Sequence, residues 1–359
     1  MSAAAEFFLI ALAIYLWESG LWLPLRAAAL RKRPLSDRWS VVRPGHWMST
    51  RELGLVAMLP VVPDTGLAPC QSPPLLVTPQ GKVLLETAAS DLVECGAPTW
   101  EDITVDAGRL SLGGVSARVS SPRMVDLFRR AKKRGLSPSE GIADAWKKAM
   151  SPHRAAKEWR RWRLVSSPLA PFCLLLTTGF FIGLPVTFLY AGVLPTLGVA
   201  LFLWVLMGVI GCRLWWLGGR VYPAARRALR ADAALCCVVP FHAMRAFELA
   251  AVHAMATTHP VALLLSTGDT ENPWLGRFSR ELLHPRPDVP FDDDRATLIR
   301  PLLENALSRH GREISGYGTI PSNSGDEGAT RFCPRCHSVF ADGVDSCTDC
   351  KGVPLKAFP

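Results

Sequence analysis

The sequence predicts an α+β multi-domain membrane protein. Its expected parts are an N-terminal anchor helix, a small α+β cytoplasmic domain, a transmembrane helical hairpin, a helical cytoplasmic domain and a C-terminal module tied by metal. Three observations carry this. Residues 164–212 contain no Asp, Glu, Lys, Arg or His. Strand-like and helix-like periodicities occupy the segments on either side. Two CxxC pairs sit near the end of the chain. With 49% hydrophobic and only 20% charged residues, the chain is neither disordered nor fibrous. Ten cysteines in 359 residues are too sparse for a disulfide scaffold.

The uncharged run is long enough for two crossings, since about 20 apolar residues span the hydrocarbon core. Pro185, Gly192 and Pro195 are the candidate breakers, and Tyr190–Pro195 is the expected turn. That leaves arms near 168–189 and 196–217 within a hairpin module at 164–218. Gly179 and Gly183 form a GxxxG spacing that suits close helix packing, although glycine is also common in apolar helices without that role. Arg154, Lys157, Arg160, Arg161 and Arg163 precede the hairpin. Arg213, Arg220, Arg226, Arg227 and Arg230 follow it. The positive-inside rule places both ends in the cytoplasm. Trp159, Trp162, Trp215 and Trp216 read as the interfacial aromatic belt.

Residues 1–26 are expected to be a third, weaker span. Phe7 to Trp17 is continuously apolar, and basic residues arrive only afterwards, from Arg26. A signal peptide has the opposite charge order, so the segment reads as an uncleaved anchor with its N-terminus outside. Residues 7–25 lying flat in the interface is the alternative. Glu18 is the only acid in the second half of this span. It serves either a membrane site or, more simply, the cytoplasmic headgroup level.

Residues 27–163 hold most of the positive excess of the chain. Leu75–Val77 and Lys82–Glu86 flank the turn Thr78-Pro-Gln-Gly81. A meander follows, with alternation at Ile103 and Val105, at Leu110 and Leu112, and at Val115, Ala117 and Val119. Gly113-Gly114 suits a primed two-residue turn between its last two strands. Ser121-Pro122, Ser137-Pro138-Ser139-Glu140 and Ser151-Pro152 read as helix starts. The second is a capping box. The cluster Arg129, Arg130, Lys132, Lys133 and Arg134 reads as a solvated helix end or as a contact for anionic lipid. Nucleic acid is the less favoured partner, because no nucleic-acid motif accompanies it.

Residues 219–312 are helical by pattern, with Pro260–Leu265 as a buried apolar segment. His242, His253 and His259 have no metal-helix spacing. Adjacent Cys236 and Cys237 read as structural, and a nucleophile pairing with His242 stays open. One of Asp292, Asp293 and Asp294 is expected to cap a helix, with the others favouring its dipole; a Mg²⁺ site is the alternative, although no second acidic cluster accompanies it. The chain has no GxxxxGK[ST], GxGxxG or GxSxG, which removes the common nucleotide-binding and serine-hydrolase readings.

Residues 313–330 read as a flexible linker. Cys333-Pro-Arg-Cys336 and Cys347-Thr-Asp-Cys350 then stand ten residues apart. Each CxxC pair aims two thiolates at one point, and two pairs complete an S₄ site. In a reducing cytoplasm such thiolates hold metal rather than form disulfides. The expected cofactor is structural Zn²⁺, with Cys333, Cys336, Cys347 and Cys350 as ligands. His337 has no coordination position left to fill. Residues 331–359 resemble the zinc-ribbon class on these four cysteines. The whole layout is similar to uncharacterised bacterial inner-membrane proteins that end in a zinc ribbon. That likeness implies an architecture and no activity.

The expectation is therefore a non-enzymatic adaptor in a bacterial inner membrane, with its main domains and ribbon cytoplasmic. It would contact anionic headgroups and a protein partner. The alternatives are a component of a membrane-embedded enzyme or transport complex, and a membrane-tethered nucleic-acid-binding regulator.

Overall fold

The computed structural model describes residues 5–6, 8–10, 13, 20–21, 28–32, 39–42, 48–49, 67–86, 92–96, 99–106, 109–119, 121–235, 250–317, 321, 328–350 and 352–358. Glu18, Cys236, Cys237 and His242 lie outside these residues. Two compact units result. The first comprises Met1–Gln71, Ser120–Arg123 and Lys157–Ala256, the second Ser72–Val119, Met124–Ala156 and Thr257–Pro359.

In the first unit, β1 (Gly20–Leu21) pairs antiparallel with β4 (Met48–Ser49). The expected helix over 7–25 therefore does not run through Gly20. Glycine costs about 1 kcal/mol in a helix interior. β2 (Ala28–Lys32), β3 (Trp39–Val42) and β5 (Leu67–Cys70) form an antiparallel sheet of order β3-β2-β5. The sequence reading has no strands here, because the alternation is weak. Leu30, Ala68 and Cys70 are nevertheless buried.

The apolar run forms α4 (Ala170–Thr178), a π-helical turn (Gly179–Gly183), α5 (Leu184–Ala191) and α6 (Val193–Val221). Pro185 does not break the first arm. Proline lacks an N–H and crowds the carbonyl four residues earlier, and the wider π turn just before it relieves that clash. The Leu184 N–H instead reaches the Gly179 carbonyl. Gly192 alone separates the arms, at φ +79°, a conformation that favours glycine. Leu203, Leu206, Met207, Ile210 and Leu214 form one buried stripe on α6, at the 3.6-residue period. Gly179 lies against this stripe: a Cβ there would sit 2.4 Å from Leu203 Cδ2. A Cβ at Gly183 would meet nothing closer than 4.0 Å, so only the first glycine of the GxxxG is a packing glycine. α7 (Arg226–Leu235) folds back onto the end of α6, where Gly218 admits Leu229.

Among the described residues, α6 alone is long and apolar enough to cross a membrane, with mean hydropathy 2.4 over 18 residues. Its 29 residues extend about 43 Å. In the first arm, Gly179–Ala191 is apolar but shorter.

The second unit contains two antiparallel meanders. β6 (Leu75–Val77), β7 (Val83–Glu86) and β8 (Leu92–Glu94) pair in the register Leu75↔Leu85 and Leu84↔Glu94. β9 (Thr104–Asp106), β10 (Arg109–Leu112) and β11 (Val115–Arg118) pair with Leu110↔Ala117. Gly113 and Gly114 both have positive φ, as a type I′ turn requires. The helices are α1 (Pro122–Lys133, whose first two residues belong to the other unit), α2 (Pro138–Ala149), α8 (Pro260–Ser266), α9 (Pro273–Leu283) and α10 (Asp292–Ser308). α3 (Pro152–Ser166), which belongs to the first unit from Lys157 on, carries the basic run towards α4. The capping box at Ser137 and Glu140 forms as read. Trp146 in α2 donates to the Leu75 carbonyl at 2.7 Å, and His259 N–H donates to the Ala149 carbonyl at 3.0 Å. α8 is buried along Pro260–Leu265. Segments from both sides of the apolar pair thus share one core.

Candidate metal centre

The last part of the second unit is a small β module. β12 (Ala329–Phe332), β13 (Val339–Ala341) and β16 (Lys356–Ala357) form a sheet of order β13-β12-β16. β14 (Ser346–Cys347) pairs with β15 (Val353–Pro354). Each CxxC pair follows or ends a strand and turns sharply. His337 stands at φ +65° directly after Cys336, and its N–H donates to the Cys333 carbonyl at 2.9 Å. Gly352 plays the matching part after Cys350, at φ +82°, with its N–H on the Cys347 carbonyl. His337 is therefore a turn residue.

The four sulfurs of Cys333, Cys336, Cys347 and Cys350 lie within 4.8 Å of one another. Cys336 Sγ and Cys347 Sγ are 3.7 Å apart. A disulfide needs about 2.05 Å, so these thiols are free. A tetrahedron with metal–sulfur bonds of about 2.3 Å has sulfur–sulfur edges of about 3.8 Å. The Cys336–Cys347 separation fits that figure, and the cluster could hold a metal ion. The Cys350 N–H points at Cys347 Sγ, 3.3 Å away. Cys336 is pulled down to about 4, chiefly by the thiol hydrogen bond from Cys333 and against its burial. Cys350 is pushed up to about 12 by burial and by the charge on Cys336. Burial lowers the Arg280 and Arg335 guanidinium groups, while the thiolate charges of Cys336 and Cys333 act the other way on Arg280. These cations oppose the net charge of −2 that four thiolates around a divalent ion would carry.

The module is docked. Arg335, between the first two cysteines, donates to the His284 carbonyl at 2.8 Å and lies 3.7 Å from Asp292 Oδ2. Asp292 is the first residue of α10 and is 2% exposed. The sequence predicts that one of the three aspartates caps this helix. Its Oδ2 accepts the Arg286 N–H at 2.6 Å, and its Oδ1 pairs with Arg295. It is an ion-pair hub, while Asp293 and Asp294 remain in the first turn as expected.

Other polar candidates resolve into structural roles. His259 Nδ1 accepts the Val261 N–H at 3.2 Å and so caps α8. Burial, and then Arg295, hold its imidazole down at about 3, so it is neutral. His253 Nδ1 lies 3.0 Å from Ser121 Oγ, and its Nε2 lies 3.8 Å from Asp232 Oδ2. This has the composition of a nucleophilic triad. However, Ser121 is 1% exposed, its Oγ accepts the Arg123 N–H at 3.2 Å, and 3.8 Å exceeds a hydrogen bond. Arg123 completes this cluster, pairing with Glu158 at 2.8 Å and stacking on Tyr222. In the basic cluster of α1, Arg130 pairs with Asp126, Lys132 with Glu101 and Arg134 with Asp144. Trp162 is buried at 1% rather than interfacial. Trp215 and Trp216 are exposed and carry Arg230, and Arg213 with Arg220, over their rings.

Fold and site together define a mixed helix and sheet chain with one candidate apolar span and a four-cysteine cluster fit for a metal ion. Comparison with protein families, with curated proteins and with solved structures finds no match for this chain.

Proposed function

We propose that the chain is a non-enzymatic adaptor of the bacterial inner membrane, held by the hairpin 164–218 with both ends cytoplasmic. Residues 331–359 would be a zinc ribbon, with Zn²⁺ bound structurally by Cys333, Cys336, Cys347 and Cys350. One observation carries the reading: large apolar side chains cover the open face of α6, including Leu194, Leu197, Leu201, Phe202, Trp204 and Val205. Each 100 Å² of such surface costs about 2.5 kcal/mol in water, and the hydrocarbon of a bilayer removes that cost. The arginine-covered tryptophans at its end suit the headgroup level and make anionic lipid the favoured surface. Four protein thiolates fill a tetrahedral site, so the metal has no position for substrate or water, which supports a structural role. The cytoplasmic domains and the ribbon would then serve a protein partner.

The test uses fusions and crosslinking. Alkaline phosphatase joined at Gly192 is expected to be active, and joined at Pro359 inactive. Activity at Pro359 would overturn the orientation. In-cell crosslinking of the full chain and of a chain ending at 330 should differ by a defined protein. Identical products would refute the adaptor role of the ribbon.

A further inference from the structure

We propose that metal at the four-cysteine centre locks α10 into its unit through Arg335, so that metal loss loosens α10 and β7 as well as the C-terminal module. The inference rests on the metal reading of the cysteines above. Arg335 is flanked by Cys333 and Cys336, so the two thiolates fix the position of its backbone. Its side chain reaches the His284 carbonyl and the Asp292 carboxylate. Asp292 in turn holds Arg295, and Arg295 stands 3.9 Å from Glu86 of β7, itself 8% exposed. The knuckle, the first turn of α10 and the strand β7 are thus joined by one succession of opposite charges whose two carboxylates are buried.

Burial makes this succession consequential. An exposed ion pair contributes little, but a carboxylate that stays buried after losing a counter-charge is strongly destabilised. Residues 331–359 are too few to hold a core alone, so the knuckle keeps its shape only while a cation holds the thiolates together. When the knuckle opens, Arg335 leaves Asp292, and the first turn of α10 is left with less compensation for its buried charge.

Amide hydrogen exchange on the full chain in detergent tests this, with metal content measured on the same samples. In the wild type, chelation should remove about one ion per chain and raise exchange within 292–308 and 83–86 by about tenfold or more. Arg335→Met, which keeps the aliphatic stem, should raise exchange in 292–308 while retaining the ion. Unchanged exchange there, within about twofold, after the ion has left would overturn the lock and leave the metal reading intact. Arg335→Met matching the wild type would overturn it equally. A chain that neither carries nor takes up metal would refute the metal reading itself, and the lock with it.

Discussion

Gly141 in α2 sets two known effects against each other. Replacing a mid-helix glycine with alanine ordinarily stabilises a helix by about 1 kcal/mol. Here the new Cβ would stand 2.7 Å from Trp100 Cη2, 2.8 Å from Trp100 Cζ2 and 2.9 Å from Ala131 Cβ. Carbon atoms in contact prefer about 3.5–4.0 Å, so the overlap is close to 1 Å at three atoms. Trp100 cannot swing aside freely, because its Nε1–H donates to the Leu136 carbonyl at 2.8 Å. Ala131 is fixed to the backbone of α1. Overpacking costs about 1–3 kcal/mol, and a site closed on two sides belongs at the upper end. Subtracting the propensity gain leaves a net loss of about 2 kcal/mol for Gly141→Ala. Urea unfolding of the full chain reads this as a lower midpoint with an unchanged slope. Adding Trp100→Phe, which lacks the outer ring atoms, should restore about 1 kcal/mol of coupling in a double-mutant cycle. A Gly141→Ala chain as stable as the wild type would refute the close approach.

Two further outcomes follow from named contacts. His259 is neutral in the folded chain, with its pKa lowered from 6.5 to about 3. Its contribution is full above pH 6.5 and falls as pH falls toward 3, since only the unfolded chain then takes up the proton. The slope is about 1.4 kcal/mol per pH unit. His259→Asn keeps a capping side chain but does not titrate, so urea midpoints between pH 7 and 5 should flatten; an unaltered slope would count against a neutral, buried imidazole at this position. In the apolar pair, Gly179→Ala should lower resistance to unfolding in a detergent titration, whereas Gly183→Ala should stay within about 0.5 kcal/mol of the wild type. Equal behaviour of the two would contradict the packing of Gly179 on Leu203.

Local chemistry was the legible part of this chain. The capping box at Ser137 and Glu140, the paired glycines 113 and 114, and the alternation at Leu110 and Leu112 each act within a few residues, and each forms as read. The cysteine spacing likewise brings four sulfurs together. What escaped the reading acts across distance or against habit. Arg335 and Asp292 meet only because the β module docks on α10, and no pattern near either residue announces it. Ser121 and His253 are similarly remote in sequence. His259 caps a helix although Ser, Thr, Asp and Asn are the usual caps. Pro185 reads as a candidate breaker, but the π turn before it lets the arm continue. The sheet of β2, β3 and β5 lacks a clean period, so its segments gave no strand signal.

The single-residue connection at Gly192 also constrains how this chain can change over generations. A long loop absorbs an insertion in either neighbour, but one residue at φ +79° absorbs none. Each residue added to one arm shifts its far end by about 1.5 Å and turns it by about 100°. Gly179 would then lose its seat on Leu203, and the stripe from Leu203 to Leu214 would face elsewhere. Length changes in α6 and in the arm before it must therefore arise together and in matched steps, which makes this pair far more tolerant of substitution than of insertion or deletion.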